Sequence, residues 1–468
     1  MPRPHRAEPL MTNPSTLHFD WALLPAGWGR DVRVTQDGGR IAAIETGVPA
    51  EGAGERHAVG LPGLGNGHSH AFQRAMAGLT EWKDVAAASF WSWRDTLYRF
   101  LGAFDPGDVE AVTAQAYVEM LETGYTRVGE FHYLHHDANG REYADIGEMA
   151  ARVATAAADT GIALTLLPVF YAHAGFGGTP PTAGQRRFVC SLGQYERLLA
   201  ACEAATARLP DAVLGVAPHS LRAVDESELR VLERLRPRDP LHLHIAEQTQ
   251  EVEDCVAWSG QRPVEWLLDR FPVDARWSLI HATHVTPIEL ARVVRSRAAV
   301  GLCPITEANL GDGVFPAAEL LDSGGSFSVG SDSNVTIDAA GELRLLEYGQ
   351  RLIRRARNVL ATPGGHSTGR AVFERAQAGG AQSLGVPAAG LYVGGSADLV
   401  SLDAGAGPFV AKRPDQWLDH WIFAARRPSI DCVWRAGRKL VRGGRHVQAE
   451  TIARRYREVL TRLVAKLD

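Results

Sequence analysis

The chain contains 468 residues, and its 49 basic and 54 acidic side chains give a formal net charge of −5 at pH 7. A hydrophobic content of 45% excludes an intrinsically disordered chain, and the small net charge gives no long-range attraction to nucleic acid or to an anionic membrane surface. The five cysteines are widely spaced, which predicts a protein without disulfides. The sequence has no span of about 18 apolar residues and no N-terminal apolar signal segment, so we expect a cytoplasmic protein.

Residues 1–61 are rich in alternating and turn-forming residues. The first residues are interpreted as a frayed tail, within which Met11 could be the true start. Alternating apolar residues on both sides of Gly38 and Gly39 then predict a β-hairpin, because adjacent glycines readily adopt the positive φ angles of a tight turn. This segment is therefore expected to supply short strands.

Residues 62–390 alternate short apolar runs with longer Ala- and Leu-rich segments that have helical spacing. This alternation predicts a parallel sheet, and eight strand–helix units in one domain favour a closed (β/α)8 barrel of the TIM type over a doubly wound open sheet. No GxGxxG motif follows a strand, which argues against a nicotinamide-dependent oxidoreductase. The predicted strands lie at 63–70, 126–131, 163–170, 213–218, 241–246, 277–282, 299–304 and 327–330.

Residues 391–447 again predict short strands with glycine turns. Since isolated hairpins are only marginally stable, we expect both chain ends to pair into one small β-sandwich domain, which makes the fold class α/β with a barrel and an added β-domain. The final segment, 448–468, predicts a helix with a solvated outer face and an apolar side formed by Ile452, Tyr456, Val459, Leu460 and Leu463.

Polar residues at the carboxyl ends of barrel strands usually serve chemistry, and the first strand ends in an HxH motif. Residues at i and i+2 of a strand lie on one face, roughly 6–7 Å apart, so the His68 and His70 side chains can reach the same metal ion. The glycine-rich segment before them allows a tight approach of the backbone. An isolated HxH is common by chance, but its position here favours a metal site.

The fifth predicted strand, LHLHIAEQ, supplies His242, His244 and Glu247. If the strand ends near Ile245, Glu247 can join His244 at the mouth of the barrel, so we interpret His244 as a metal ligand and Glu247 as a proton carrier. His242 lies one layer deeper along the strand. For His242, a hydrogen-bonded role inside the barrel is favoured.

The sixth and eighth predicted strands also end in polar residues. His281 ends an apolar run and is a candidate for the site, whereas His284, three residues into the loop, is interpreted as structural. Asp332 closely follows a short buried strand, where a carboxylate is costly to bury without a cation or hydrogen bonds. A helix cap is the alternative for Asp332, but the histidines at the other strand ends favour the site.

The fourth predicted strand bears on the number of metal ions. Barrel hydrolases with two metal ions usually bridge them with a lysine on this strand, but the segment here offers His219 and no lysine. The sequence therefore predicts a single ion, with water completing its coordination and with the protein ligands His68, His70, His244 and Asp332.

Cys303 is the other residue that could be considered a nucleophile, since it lies at a predicted strand end near Glu307 and Asn309. A covalent thiol mechanism needs an adjacent base and a lowered thiol pKa, and nothing in the sequence indicates either. Cys303 is therefore interpreted as a small buried residue.

The order HxH, HxxE, His and Asp on successive strand ends resembles the amidohydrolase superfamily, and in particular its single-metal deaminase branch. The resemblance extends over nearly the whole chain. Within that branch, GLGNGHSHAFQRAMAGL, FWSWRDTLY, GEFHYLHH, APHSLRAV and CPITEANLGDGVFP are similar to segments of the formimidoylglutamate deiminase family. Members of that family turn N-formimidoyl-L-glutamate and water into N-formyl-L-glutamate and ammonia in histidine degradation.

The resemblance implies one divalent metal ion, zinc or alternatively Fe²⁺, and a homodimer. It also implies that a small dicarboxylate substrate is bound, and fixed guanidinium groups suit two carboxylates better than they suit a purine ring. The substrate-binding residues that it implies are Gln73, Arg94, Tyr133, His219 and Arg222.

The implied mechanism is metal-assisted hydrolysis, in which Asp332 is both ligand and general base, Glu247 carries protons and His281 stabilises the attacking oxygen. Two alternatives stay open. One is another aminohydrolase of the superfamily, acting on guanine, a triazine or a guanidino compound. The other is a non-catalytic relative that serves as a scaffold, although an intact ligand set together with Glu247 argues against it.

Overall fold

The computed structural model describes residues 15–81, 90–362, 367–404, 409, 412–425 and 429–466, so the N-terminal tail with Met11 lies outside the described residues. The first described elements are four strands that pair with one another in a mixed sheet. The predicted hairpin is confirmed, with Gly38 and Gly39 at φ +54° and +81° in its turn. These strands are β1 Ser15–Leu24, β2 Gly27–Asp37, β3 Arg40–Glu45 and β4 Glu55–Pro62.

The next strands are parallel and form the predicted barrel. Their two parallel sheets meet at bridges between Ser69 and Asp332 on one side and between Val216 and Leu241 on the other, which closes the cylinder. The open doubly wound sheet is therefore excluded. The fourth predicted strand is split in two, and the barrel strands are β5 Leu64–Ser69, β6 Tyr125–His132, β7 Ala163–Phe170, β8 Val213–Leu214, β9 Ala217–Pro218, β10 Leu241–Ile245, β11 Trp277–His281, β12 Ala299–Leu302 and β13 Ser326–Val329.

Helices follow the barrel strands, and several begin at side chains that cap the free N–H groups of the first turn, such as Asp105 and Thr286. Short 3-10 helices span Ala71–Met76 and Ala183–Gln185. Within the described ranges, no helix combines the length and apolar character that crossing a bilayer requires. The α-helices of this region are α1 Phe90–Leu101, α2 Pro106–Glu122, α3 Glu148–Thr160, α4 Leu192–Thr206, α5 Glu226–Leu235, α6 Thr249–Ser259, α7 Pro263–Arg270, α8 Pro287–Ser296, α9 Pro304–Leu310, α10 Ala317–Asp322, α11 Ala339–Arg354 and α12 Thr368–Ser383.

The C-terminal strands return to the N-terminal ones. Pairing of β4 with the first of them produces one eight-stranded sheet that combines strands from the N-terminal and C-terminal parts of the chain, as predicted. Side chains of this sheet form a small apolar core, in which the centroids of the Phe19 and Trp434 rings lie 6.5 Å apart in an edge-to-face contact. The remaining elements are β14 Leu399–Leu402, α13 Pro414–Phe423, β15 Ile430–Arg435, β16 Arg438–Arg442, β17 Arg445–His446 and α14 Ala449–Val464.

Helix α14 packs its apolar side against the barrel, as the spacing of its residues predicts. Ile452 and Leu463 are buried, whereas the arginines of the opposite side are largely exposed. Arg455 forms an ion pair with Glu110 of α2 at 2.7 Å. The basic residues of this helix therefore lie on a solvated face with local ionic contacts.

His242 lies inside the barrel and its Nε2 is 2.7 Å from the backbone oxygen of Ser383, in line with the hydrogen-bonded interior role predicted for it. Burial lowers the pKa of the His242 imidazole from 6.5 to about 4. Below pH 6.5 the His242 imidazole of the unfolded chain binds a proton, whereas that of the folded chain stays neutral down to about pH 4. This difference lowers the free energy of unfolding as the pH falls.

We expect the free energy of unfolding to drop by about 3 kcal/mol between pH 7 and pH 4 through this residue alone. Glutamine at the same position cannot titrate, so His242→Gln should show a shallower loss of stability with acid than the unsubstituted protein. Denaturant unfolding at a series of pH values measures both curves, and parallel curves would contradict the assignment.

Candidate active site

The first two predicted ligands, His68 and His70, lie at the carboxyl end of β5 and are buried. The end of β13 lies directly against them, because the Asp332 N–H donates to the His68 oxygen at 3.0 Å and the His70 N–H donates to the Asp332 oxygen at 2.9 Å. Glycine is required at position 330, since a Cβ there would lie 2.6 Å from the His68 oxygen. The closing seam of the barrel thus brings three of the predicted site residues together.

The four predicted metal ligands converge on one point. Their ligand atoms all lie within 4.8 Å of one another. The Nε2 of His68 is 3.0 Å from Nε2 of His244 and 3.3 Å from Nε2 of His70, which in turn is 3.2 Å from a carboxylate oxygen of Asp332. Residues separated by more than 260 positions therefore offer a compact set of three nitrogens and one oxygen.

The hydrogen bonds behind these imidazoles show that the cluster suits a cation. Nδ1 of His70 lies 2.8 Å from the Phe131 oxygen, and Nδ1 of His244 lies 3.0 Å from the His219 oxygen. A carbonyl oxygen only accepts, so each Nδ1 carries the proton and each Nε2 presents a lone pair. Lone pairs that face one another at this distance repel unless a positive ion lies between them, so the residues fit a metal ion.

His281 and Glu247 lie beside the cluster. Nε2 of His281 is 3.8 Å from Glu247 and 3.7 Å from Asp332, while its Nδ1 is 3.2 Å from Glu307. The backbone φ of His281 is +67° and that of Asp332 is +42°, a region that side-chain-bearing residues rarely adopt. Such strained backbone at strand ends is typical of functional sites.

The electrostatics of these groups follow from their burial and from one another. Burial raises the pKa of Glu247 above its usual range, although His281 and Arg222 act to lower it. Burial also acts to raise the pKa of Asp332, but its contacts with the imidazoles of His70 and His281 outweigh this effect, so this pKa is lowered. Glu247 is therefore the better proton donor of the two, and Asp332 the group that stays ionised.

A cavity opens above the cluster. Tyr133 accepts a hydrogen bond from the Gln73 side-chain amide at 2.7 Å, and the Arg222 Nε is buried without a hydrogen-bond partner among the described residues. The wall thus offers cationic and hydroxyl groups near the four converging side chains. It contains all five residues predicted to bind substrate, which are Gln73, Arg94, Tyr133, His219 and Arg222.

Cys303 is fully buried, and burial raises the pKa of its thiol well above the usual range. The thiolate is therefore disfavoured, in agreement with the prediction that Cys303 is not a nucleophile. His284 lies outside this cavity, in a separate groove that also contains Arg262. His284 is therefore not part of the cavity above the converging side chains.

Sequence reasoning missed three buried carboxylates that hold the backbone next to functional residues. The Glu130 carboxylate accepts a hydrogen bond from the N–H of Ala71, the residue after His70, at 2.7 Å. The Glu251 carboxylate accepts one from the Glu247 N–H at 3.2 Å. Glu307 contacts His281, as described above. The only signal in the sequence is that Glu251 and Glu307 fall in the first turn of the helix after a strand end.

Sequence reasoning also missed an aromatic part of the cavity wall. Tyr171 lies in this wall and accepts a hydrogen bond from the Gln185 side-chain amide at 2.6 Å. Gln185 lies in a short 3-10 helix within the connection between β7 and α4. No regular spacing of residues in the sequence predicts this helix.

Comparison with known proteins gives matches over nearly the whole chain. The model of the Amidohydrolase family matches residues 59–440, and the model of the formimidoylglutamate deiminase HutF N-terminal domain matches residues 15–58. The chain is 47% identical to the formimidoylglutamate deiminase of Pseudomonas aeruginosa over 458 residues, which cover 96% of this chain and 100% of that protein.

Solved structures show the same similarity. An amidohydrolase from Brucella melitensis is 52% identical, with a TM-score of 0.94 and coverage of 96% of this chain and 100% of that one. An adenosine deaminase from Xanthomonas campestris with bound zinc is 23% identical, with a TM-score of 0.80 and coverage of 96% and 98%. The second similarity concerns the fold alone.

Proposed function

The chain belongs to the amidohydrolase family, and on that premise we propose that it hydrolyses N-formimidoyl-L-glutamate to N-formyl-L-glutamate and ammonia in histidine degradation. The observation that carries the proposal is the convergence of three imidazole nitrogens and a carboxylate beside Glu247, at the base of a cavity with arginines in its wall. The cluster supports hydrolysis, and the arginines support a substrate with two carboxylates.

In this proposal one divalent ion is held by His68, His70, His244 and Asp332. Three nitrogens and one oxygen form a donor set that suits Zn²⁺, and Fe²⁺ is the alternative. When bound, such an ion lowers the pKa of a coordinated water toward about 7 and so supplies hydroxide at neutral pH.

The protein's own groups then move the protons. Asp332 accepts a proton from the attacking water, and Glu247 donates a proton to the formimidoyl nitrogen, which makes the carbon more electrophilic. His281, within 4 Å of both carboxylates, stabilises the attacking oxygen. Glu247 then takes the hydroxyl proton of the resulting adduct and delivers it to the nitrogen, which leaves as ammonia as the C–N bond breaks. The proton on Asp332 returns to Glu247, so that one water is consumed, one ammonia is released and both carboxyl groups regain their starting states.

The carboxylates of the substrate are bound away from the reacting carbon. Arg94 and Arg222 pair with them, and Tyr133, His219 and Gln73 complete the contacts from the same wall. Holding the carbon in place in this way can lower the barrier by on the order of 7–11 kcal/mol.

Replacing Arg222 tests this binding mode. Arg222→Met should raise KM for N-formimidoyl-L-glutamate at least tenfold and leave the metal content unchanged, because a buried charge-assisted contact contributes about 1.5–3 kcal/mol. A substrate analogue with both carboxylates amidated should be affected far less. Arg234→Met, on the exposed surface of α5, is the matched control and should leave KM unchanged. An equal rise in KM for the neutral analogue would contradict carboxylate recognition.

The proposed reaction is tested by ammonia release from three substrates. We expect the metal-loaded protein to act on N-formimidoyl-L-glutamate with a higher kcat/KM than on N-formimidoyl-L-aspartate, and to release no ammonia from guanine. A preference for guanine would indicate a different aminohydrolase. Absence of ammonia with every substrate would favour the scaffold alternative.

The assembly and location of the protein complete the proposal. We propose a homodimer that works in the cytoplasm, as the family resemblance implies. Sedimentation of the purified protein measures its mass, and a monomer of 50.6 kDa at micromolar concentration would contradict the homodimer.

A further inference from the structure

Glu307 is a buried carboxylate that lies behind His281 and takes no part in the chemistry proposed above. The residue is only 5% exposed and does not contribute to the cavity wall. One of its oxygens lies 3.2 Å from Nδ1 of His281 and also accepts the N–H of Cys303 at 2.9 Å. The same oxygen atom therefore connects the end of β12 with the imidazole at the end of β11.

The backbone of Glu307 is held at both of its polar groups. Its N–H donates to the Cys303 oxygen at 2.9 Å, and its own oxygen accepts the N–H of Asp312 at 2.9 Å. Glu307 also lies in the first turn of α9, directly after the short strand β12. The position of its carboxylate is thus determined by the barrel and not by a mobile loop.

Packing alone does not fix the orientation of the His281 ring. The ring is fully buried and stacks on the His244 ring at 5.6 Å with an interplanar angle of 23°. A half-turn of an imidazole about its Cβ–Cγ bond leaves its shape almost unchanged but exchanges each nitrogen with a carbon. A polar contact must therefore select the orientation that directs Nε2 toward Glu247 and Asp332.

We propose that Glu307 is a positioning residue for His281, which holds Nδ1 from behind so that Nε2 points at the attacking oxygen. In this orientation Nε2 is buried and has no hydrogen-bond partner among the described residues, which leaves it available to a reacting group. The inference rests on the proposed hydrolysis, because the role of His281 is part of it.

The competing explanation is that Glu307 only stabilises the turn at Cys303. Glu342 provides a matched control, because it is also fully buried and accepts the N–H of Ile305 in the same turn at 2.9 Å without contacting His281. A purely structural role predicts similar effects of substitution at both glutamates. A positioning role predicts an effect on turnover at Glu307 alone.

The test measures kcat and KM of metal-loaded variants for N-formimidoyl-L-glutamate, together with zinc content and the Kd for the product N-formyl-L-glutamate. Glu307→Ala should lower kcat about 10–100-fold, the usual range for a residue that orients a functional histidine. KM, zinc content and Kd should stay within about twofold. Glu307→Gln keeps an oxygen that can accept from Nδ1, so it should recover most of the activity. Glu342→Ala, the matched control for Glu307→Ala, should keep the kcat of the unsubstituted protein.

A double-mutant cycle with His281→Ala completes the test. If Glu307 acts through His281, adding Glu307→Ala to His281→Ala should lower kcat no further. The inference would be overturned by an unchanged kcat in Glu307→Ala, by the same fold-loss in the His281→Ala background, or by loss of zinc in Glu307→Gln. Failure of the unsubstituted protein to release ammonia would instead count against the proposed reaction, so the two failures are distinguishable.

Discussion

Glu247→Gln should lower kcat for N-formimidoyl-L-glutamate by about 10²–10⁴-fold, the usual contribution of a positioned acid–base group. Glutamine has nearly the same shape as the carboxyl group but cannot carry a proton to the leaving nitrogen. Glu247 is not one of the four converging ligands, so the variant should bind metal with the same stoichiometry as the unsubstituted protein. Stopped assays of ammonia release and elemental analysis measure the two quantities.

Glu253→Gln is the matched control, because Glu253 is an exposed glutamate in the same segment. It should retain full activity. Burial raises the pKa of Glu247 above its usual range, which favours the protonated form that a proton donor needs. Turnover by Glu247→Gln at the unsubstituted rate would remove this residue from the mechanism.

Removing the metal should abolish turnover completely, and adding one equivalent of zinc should restore it. The nitrogens of His68, His70 and His244 then face one another without a cation, so the metal-free protein should also unfold at a lower temperature. Dialysis against a chelator, followed by activity and thermal unfolding measurements with and without zinc, checks both effects.

The control is dialysis against the same chelator already saturated with zinc, which should leave activity unchanged. Full turnover by a protein shown by elemental analysis to be metal-free would contradict the account. Recovery that requires two equivalents of zinc would contradict the single-ion site.

The convergence of the proposed ligands could be predicted from the sequence because the barrel imposes a simple rule. All parallel strands end at the same rim, so polar residues at the ends of β5, β10, β11 and β13 must lie near one another. His68, His244 and Asp332 are therefore recognisable without knowledge of any contact between them. The pairing of the chain ends followed from a similar argument, since a lone hairpin has little stability.

The supporting residues could not be predicted in this way. Glu251 and Glu307 act through the backbone and side chains of other loops, and their contacts depend on how each helix leaves its strand. A glutamate in the first turn of a helix is also common as a simple capping residue. The sequence therefore marks them as ordinary helix starts, and only the three-dimensional arrangement shows what they hold.

The aromatic wall of the cavity was unpredictable for a different reason. Tyr171 follows β7 directly, but the orientation of its hydroxyl depends on Gln185, which lies in an irregular segment. That segment is held by contacts with other parts of the chain, such as the stacking of Phe176 on Trp258 at 5.5 Å. Regular spacing carries no information on contacts of this kind.

A crystal structure with N-formyl-L-glutamate bound, with anomalous scattering recorded at the metal edge, tests the proposed site most directly. We expect one anomalous peak bonded to His68, His70, His244 and Asp332, with the formyl carbon above it and the carboxylates on Arg94 and Arg222. No peak among these four residues, or a ligand whose carboxylates point away from both arginines, would contradict it.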